Sequence, residues 1–412
     1  MHLSFSLHFA MKAKKVNMEH AAVALVLGSD DLLVEILRRV NSPTCLVRAA
    51  AVSKRWLRHA SDPAFLRRFR ARHPPRLLGF YVHENPLAEL RFLPVSQDPE
   101  LRSAVRRASY AVDNLGLLDC QNGRLLVRFY DEPSSFAVLS PLQGSPGMAV
   151  LTTPFGAGGR MGRLHLPPGM AVRAPSPDLY SVQLFMPNDG GHDGGVIAVE
   201  VLAEGMEARA GVHVLSGDVW KVVHDTASIK LPKPVSGIRE ILRPIDGKVY
   251  MVAEKGCKFI LELDLATPRF SVIPLPDKVT TTLDNFRLSS GENGSGLVLV
   301  HAEGRLLSVW RHETNGAGAG VDWVLVHDKV PVREAFTRHQ DVLVIAVSDG
   351  AEFVLLGLES SKVLMHVHLK SWTERVYDEM KPIPMYTIRA FPCMMVWPPV
   401  FPVLTEGNNQ EY

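Results

Sequence analysis

The residues best suited to chemistry are few, and their spacing gathers them only weakly. In MHVHL, His366 and His368 stand two apart. On a strand, where side chains alternate between faces, both would point the same way and could share a metal ion once further ligands joined them. GGHDGG, with His192 and Asp193, is the one stretch that offers such a ligand. No spacing ties it to the pair, so the expectation is no metal and no cofactor. The glycines of GAGGRMGR, from Gly156 to Gly162, miss both the dinucleotide fingerprint and the lysine of a phosphate loop, and they read as an ordinary loop. No GxSxG nucleophile elbow occurs. Cys45, Cys120, Cys257 and Cys393 lie far apart with no CxxC or Cys/His pattern, which indicates neither a zinc site nor a disulfide framework. Free thiols fit a reducing compartment, cytoplasmic, nuclear or both. Scattered Asp and Glu form a carboxylate pair only where folding assembles one, and no catalytic residue is assigned.

The elements that must carry any site fall into two textures. Composition is globular, with 412 residues, 46% hydrophobic and 21% charged. The formal charge of +2 gives no global pull toward nucleic acid or membrane, and no apolar run approaches the roughly 20 residues of a membrane span. Charge is nevertheless uneven: residues 38 to 76 hold eleven Arg and Lys against one acid, Asp62. A basic surface of that kind steers acidic partners.

Helical signals concentrate before residue 75. In SDDLLVEILRRV, Ser29 is a good cap, Asp30 and Asp31 suit the positive end of the helix dipole, and Arg38 and Arg39 suit the other end. Leu32, Leu33, Ile36, Leu37 and Val40 cover an arc of about 140° at helical spacing, more than the about 100° that one core needs. Part of this arc is left for another chain. Ser42 with Pro43 starts a second helix, Ser53 a third through Trp56, and SDP at 61 to 63 a fourth that Pro74 and Pro75 stop. From Arg76 on, short apolar runs such as RLLGFYV, VIAVEVL, FILELDL and GLVLVHA alternate with turn residues, as in an all-β sandwich, barrel or propeller. Trp220 opens WKVVHD, Trp323 opens WVLVHD and Trp372 opens the looser WTERVYD, with Phe270 in a similar place; the intervals are 50, 53 and 49 residues. That is the scale of a four-stranded propeller blade. Phe136 in FAVLSPL would mark an earlier unit. The expectation is about five or six degenerate blades, with a large irregular sandwich as the competing architecture.

The helical stretch LGSDDLLVEILRRVNSPTCLVRAAAVSKRWLRHASDPAFLRRFRARHPP resembles an F-box, matching at Leu27, Asp30, Asp31, Leu32, Leu33, Ile36, Leu37, Pro43, Leu46, Val52 and Trp56. It departs at Gly28, where the family usually has proline, and at Ser53, where it often has cysteine. SDPAFLRRFRARHPPRLLGF and ILELDLATPRFSVIPLP resemble grass-type plant F-box proteins with a C-terminal F-box-associated β domain. The resemblance implies an α+β multidomain chain: a disordered extension over 1–23, an F-box over 24–73, a propeller-like domain over 74–404 and a tail over 405–412. It implies a Skp-type adaptor and through it a cullin, an unknown protein substrate, no nucleic acid and no membrane. The F-box would bind the adaptor through Leu27, Asp31, Leu32, Leu33, Ile36, Leu37, Leu46, Val52 and Trp56, and the chain would be a non-catalytic receptor that positions a target for ubiquitin transfer. Two other readings stay open: an enzyme or ligand-binding protein built on a propeller, and an interaction protein that places its basic helices on nucleic acid.

Overall fold

The computed structural model describes residues 28–40, 43–73, 75–83, 90–95, 115–129, 135–139, 151–152, 164–165, 180–186, 196–216, 219–254, 256–281, 285–313, 322–358, 360–361, 363–377 and 388–395. The chain divides into two compact units: residues 77–395, and a unit that contains the described residues 28–73.

The helical unit is built from α1 (Asp30–Arg38), α2 (Pro43–Ala50), α3 (Lys54–Ser61) and α4 (Pro63–Arg72). Each visible cap is the one its sequence offers. Ser29 Oγ accepts from Leu32 N at 3.5 Å, Ser53 Oγ from Trp56 N at 3.3 Å, and Asp62 Oδ1 from Phe65 N at 2.7 Å. These contacts satisfy N–H groups that a helix start leaves without partners. Proline at the first position of α4 loses no internal hydrogen bond. Leu33 and Leu37 of α1, Leu46 of α2, Ala60 of α3 and Phe65, Leu66 and Phe69 of α4 close a small core.

The second unit is a ring of six sheets. β1 (Arg76–His83) lies between β2 (Arg91–Pro94) and β23 (Arg389–Met395), so the first blade joins strands from both ends of the unit. Gly79 permits this pairing, because a Cβ there would stand 2.2 Å from the Leu93 carbonyl oxygen. Blade II holds β3 (Leu115–Gln121), β4 (Arg124–Phe129), β5 (Ser135–Leu139), β6 (Leu151–Thr152) and β7 (Leu164–His165). Blade III holds β8 (Tyr180–Phe185), β9 (Ile197–Ser216) and β10 (Val219–Val235). β9 doubles back on itself: Leu215 N donates to Val196 O at 2.8 Å, His213 Nε2 lies 3.3 Å from Glu200 Oε1, and Gly205 turns the chain at φ 57°. Its two arms make blade III four-stranded.

Blades IV, V and VI are regular four-stranded antiparallel sheets. They comprise β11 (Ile238–Ile241) to β14 (Arg269–Pro274), β15 (Phe286–Ser290) to β18 (Asp322–Pro331), and β19 (Val342–Val347) to β22 (Thr373–Tyr377). Apolar side chains meet in the seams between blades. Leu126 and Leu184 join II to III, Val212 and Val249 join III to IV, and Ile260 and Leu299 join IV to V. Val300 and Val344 join V to VI, and Leu355 and Phe80 join VI to I. With β23 packed on β3, the ring closes. This is a six-bladed propeller, and the sandwich is set aside.

The Trp echo has a structural meaning. Trp220, Phe270 and Trp323 stand at the starts of β10, β14 and β18, and Trp372 just precedes β22, so the repeat marks the last strand of four successive blades. Trp323 Nε1 donates to Pro274 O on the previous blade at 2.8 Å, and the Trp372 ring meets His327 of the previous blade edge-on at 5.3 Å. Phe136 does lie in an earlier blade, but on β5, the third strand of its sheet, and so is out of phase with the others. Among the described residues no helix is long and apolar enough to cross a membrane.

Candidate functional site

On α1 the apolar arc splits in two. Leu33 and Leu37 are fully buried, whereas Leu32 is 47% and Ile36 39% exposed. Positions 32 and 36 are one turn apart and share a face. Among the described residues of this unit, Val47 on α2, 39% exposed, and Val52 before α3, 66% exposed, are the other large apolar side chains left in water. Trp56 is half-buried and packs on the core, and Asp31 is exposed. Leu27 lies outside the described residues. Leu33, Leu37 and Leu46 are therefore corrected from surface to support: with no exposed area they cannot touch a partner directly, and their burial holds the exposed residues in place.

Val47 joins the exposed set; it follows the core residue Leu46 and so falls on a different side of α2. Charges frame these residues. Glu35 pairs with Arg38 at 3.1 Å and Arg39 at 2.9 Å. Asp30 receives Arg55 Nε at 2.8 Å and lies 3.0 Å from His59 Nε2. The hydrogen bond from Arg55, and after it that from His59, holds the Asp30 carboxyl below the usual carboxylate range. Beyond these pairs, Arg58, Arg67, Arg68 and Arg72 are exposed on α3 and α4.

A second constellation lies in the propeller. Arg243, just after β11, donates to Asp119 of β3, to Cys120 O at 2.9 Å and to Asp349, just after β19, at 3.1 Å. Blades II, IV and VI alternate around the ring, so one guanidinium links three blades that do not adjoin. Asp119 also accepts from Cys120 N and Met186 N, each at 2.9 Å. Burial alone lowers the affinity of Arg243 for its proton, but the two carboxylates outweigh it and the net shift is upward. Desolvation raises the Asp349 carboxyl, and Arg243 opposes that shift. This assembles the carboxylate pair that the sequence could not reveal, with each member committed to the same arginine. A cross-ring charge lock is what the arrangement can provide.

The histidine pair is likewise engaged. His366 Nδ1 lies 2.8 Å from the Tyr377 hydroxyl, which donates to Pro94 O of the closing blade at 3.0 Å. His368 Nδ1 meets Ser371 Oγ at 2.5 Å and its Nε2 lies 3.2 Å from Glu352 Oε1. His192, Asp193 and the glycines of 156–162 lie outside the described residues. Among the described residues no group of three His, Cys, Asp or Glu could hold a metal ion.

Comparison with known families places both units. Residues 30–72 match the F-box-like model, and residues 116–401 match the model described as F-box protein AT5G49610-like, beta-propeller. The chain belongs to this F-box propeller family. F-box domains generally bind Skp-type adaptors, so the exposed apolar residues of this F-box fall on a domain of the adaptor-binding class. No curated protein matches the chain. Solved structures with some likeness include Hsv2 of Kluyveromyces lactis, at 11% identity and TM-score 0.35 over 64% of this chain and 64% of that one. A protein from Lactobacillus plantarum gives 12% and 0.34 over 66% and 72%, and apo AztD from Citrobacter koseri 13% and 0.34 over 68% and 76%. The F-box propeller thus spans less than two thirds of Hsv2, and likeness of this degree carries no functional argument.

Proposed function

We propose that the chain is the substrate-recognition subunit of a Skp–cullin–F-box type ubiquitin ligase. One observation carries this reading: a helical unit that matches an F-box leaves Leu32, Ile36, Val47 and Val52 in water around a core of its own. A patch of aliphatic side chains on so small a unit gains stability when a partner covers it. Leu32 and Ile36 would lead the contact, with Val52, Asp31 and Trp56 beside them and Leu27 before the helix. The exposed Arg58, Arg67, Arg68 and Arg72 of α3 and α4 would speed encounter with an acidic adaptor more than they tighten the complex. Through the adaptor the F-box would join a cullin, and the propeller would hold a target protein. Its contribution to ubiquitin transfer is then a raised effective concentration of target lysines, with no reacting group of its own. A cytoplasmic, nuclear or shared location suits that work.

The test is co-purification with a Skp-type adaptor, comparing the full chain, the Leu32→Asp variant and a chain lacking residues 24–73. The full chain retains the adaptor, the deletion loses it and the point variant retains far less. Equal recovery from all three contradicts the proposal.

A further inference from the structure

Gly28 leads the chain into α1, and glycine is the least restricted residue the backbone can use. A Cβ there would meet nothing within 4 Å, and Gly28 is not among the residues with positive φ. Neither packing nor backbone conformation requires the glycine, and its own side chain fixes nothing about the approach to the helix.

The constraint comes from another helix. Arg55, the second residue of α3, donates through Nη2 to the Gly28 carbonyl at 2.9 Å. The same guanidinium donates to Asp30 Oδ1 through Nε at 2.8 Å and through Nη2 at 2.5 Å. One planar fork therefore grips the residue before the cap and the first residue of α1 together, 27 and 25 positions away in sequence. His59, one turn further along α3, reaches the same carboxylate. The Arg55 and Asp30 side chains are 37% and 62% exposed, and exposed pairs contribute little to stability. The contribution of this fork is geometric.

We infer that Arg55 is a positioning residue for the adaptor surface, tying the approach to α1 onto α3 and so holding Leu32 and Ile36 in a fixed relation to Val52. The inference rests on the adaptor reading above. Lysine cannot replace the fork, because a single ammonium lacks the planar set of donors.

The experiment measures affinity of the full chain for a purified Skp-type adaptor by calorimetry, with thermal unfolding followed in parallel. Arg55→Ala weakens binding about tenfold, the size of one lost charge-assisted hydrogen bond, without lowering the unfolding temperature of the helical unit. Arg55→Lys weakens it nearly as much. Gly28→Ala in the Arg55→Ala background restores part of the affinity, since Gly28 is helical, a Cβ there meets nothing, and alanine narrows the backbone freedom that the arginine otherwise limits. If the unaltered chain fails to bind, the adaptor reading falls and this inference with it. If the unaltered chain binds and Arg55→Ala binds equally well, only the inference falls. Loss of affinity that tracks loss of folding, with no rescue by Gly28→Ala, also overturns it.

Discussion

The helical unit and the propeller bury apolar surface in opposite ways. Within residues 28–73, eight apolar side chains form the core while Leu32, Ile36, Val47 and Val52 stay exposed. Across the described part of 77–395, six large apolar side chains are exposed, Met206, Val222, Val223, Val324, Val326 and Phe336, while the seams between blades hide dozens. Val222 and Val223 lie on β10 and Val324 and Val326 on β18, the last strands of their blades, and Phe336 has Arg305 over its ring at 5.5 Å. Exposure on the propeller is thus spread along its rims, whereas on the helices it is dense around a core near the lower size limit for independent stability. The propeller closes on itself; the helical unit leaves an apolar face in water. Polar groups follow the same division, with Arg243 linking three blades of the propeller and Arg55 linking α3 to the start of α1.

Substitutions can break that contrast in order of expected size. Arg243→Ala should cost the propeller about 3 kcal/mol or more, because Asp119 is left buried opposite no charge. Thermal unfolding of the propeller checks this, and the Asp119→Asn, Arg243→Met pair should recover part of the loss. Leu37→Ala should cost the helical unit about 3 kcal/mol through a cavity in its small core. Hydrogen exchange would show α1 to α4 losing protection while the blades keep theirs.

Acid should act on the propeller through His366, whose pKa burial pushes down to about 4, helped by Arg375 and His368. The unfolded chain protonates this ring first as pH falls. Stability is therefore complete above about 6.5 and declines between there and about 4, by on the order of 3 kcal/mol. Denaturant midpoints taken across that range should fall with pH, and His366→Phe should flatten the decline. The smallest stability effect belongs to Leu32→Asp, expected within about 1 kcal/mol because the side chain is about half exposed and lies outside the buried core.

Legibility followed the range of each interaction. The caps at Ser29, Ser53 and Asp62 were readable because a cap and its partner are three residues apart. The Trp echo was readable because successive blades repeat one kind of seam contact, as at Trp323 and Trp372. The closing blade was not, since β1 and β23 lie some 300 residues apart and no periodicity links them. Blade III was only half visible, its hairpin hidden in a long run where Gly205 turns the chain and Gly211 does not. At the candidate adaptor surface the sequence named more residues than the fold leaves exposed. An arc of about 140° divides between core and solvent only when α2 to α4 are in place, and these take Leu33 and Leu37. Arg243 and Asp119, 124 residues apart, left no pattern to find.

The central claim is that the exposed residues of the F-box belong to an adaptor rather than to the fold. Its most direct test is the affinity of the full chain and of the Leu32→Asp and Val52→Asp variants for a purified Skp-type adaptor, with unfolding temperatures measured alongside. The account predicts that each variant loses at least about tenfold in affinity at an unchanged unfolding temperature; unaltered affinity in both variants would contradict it.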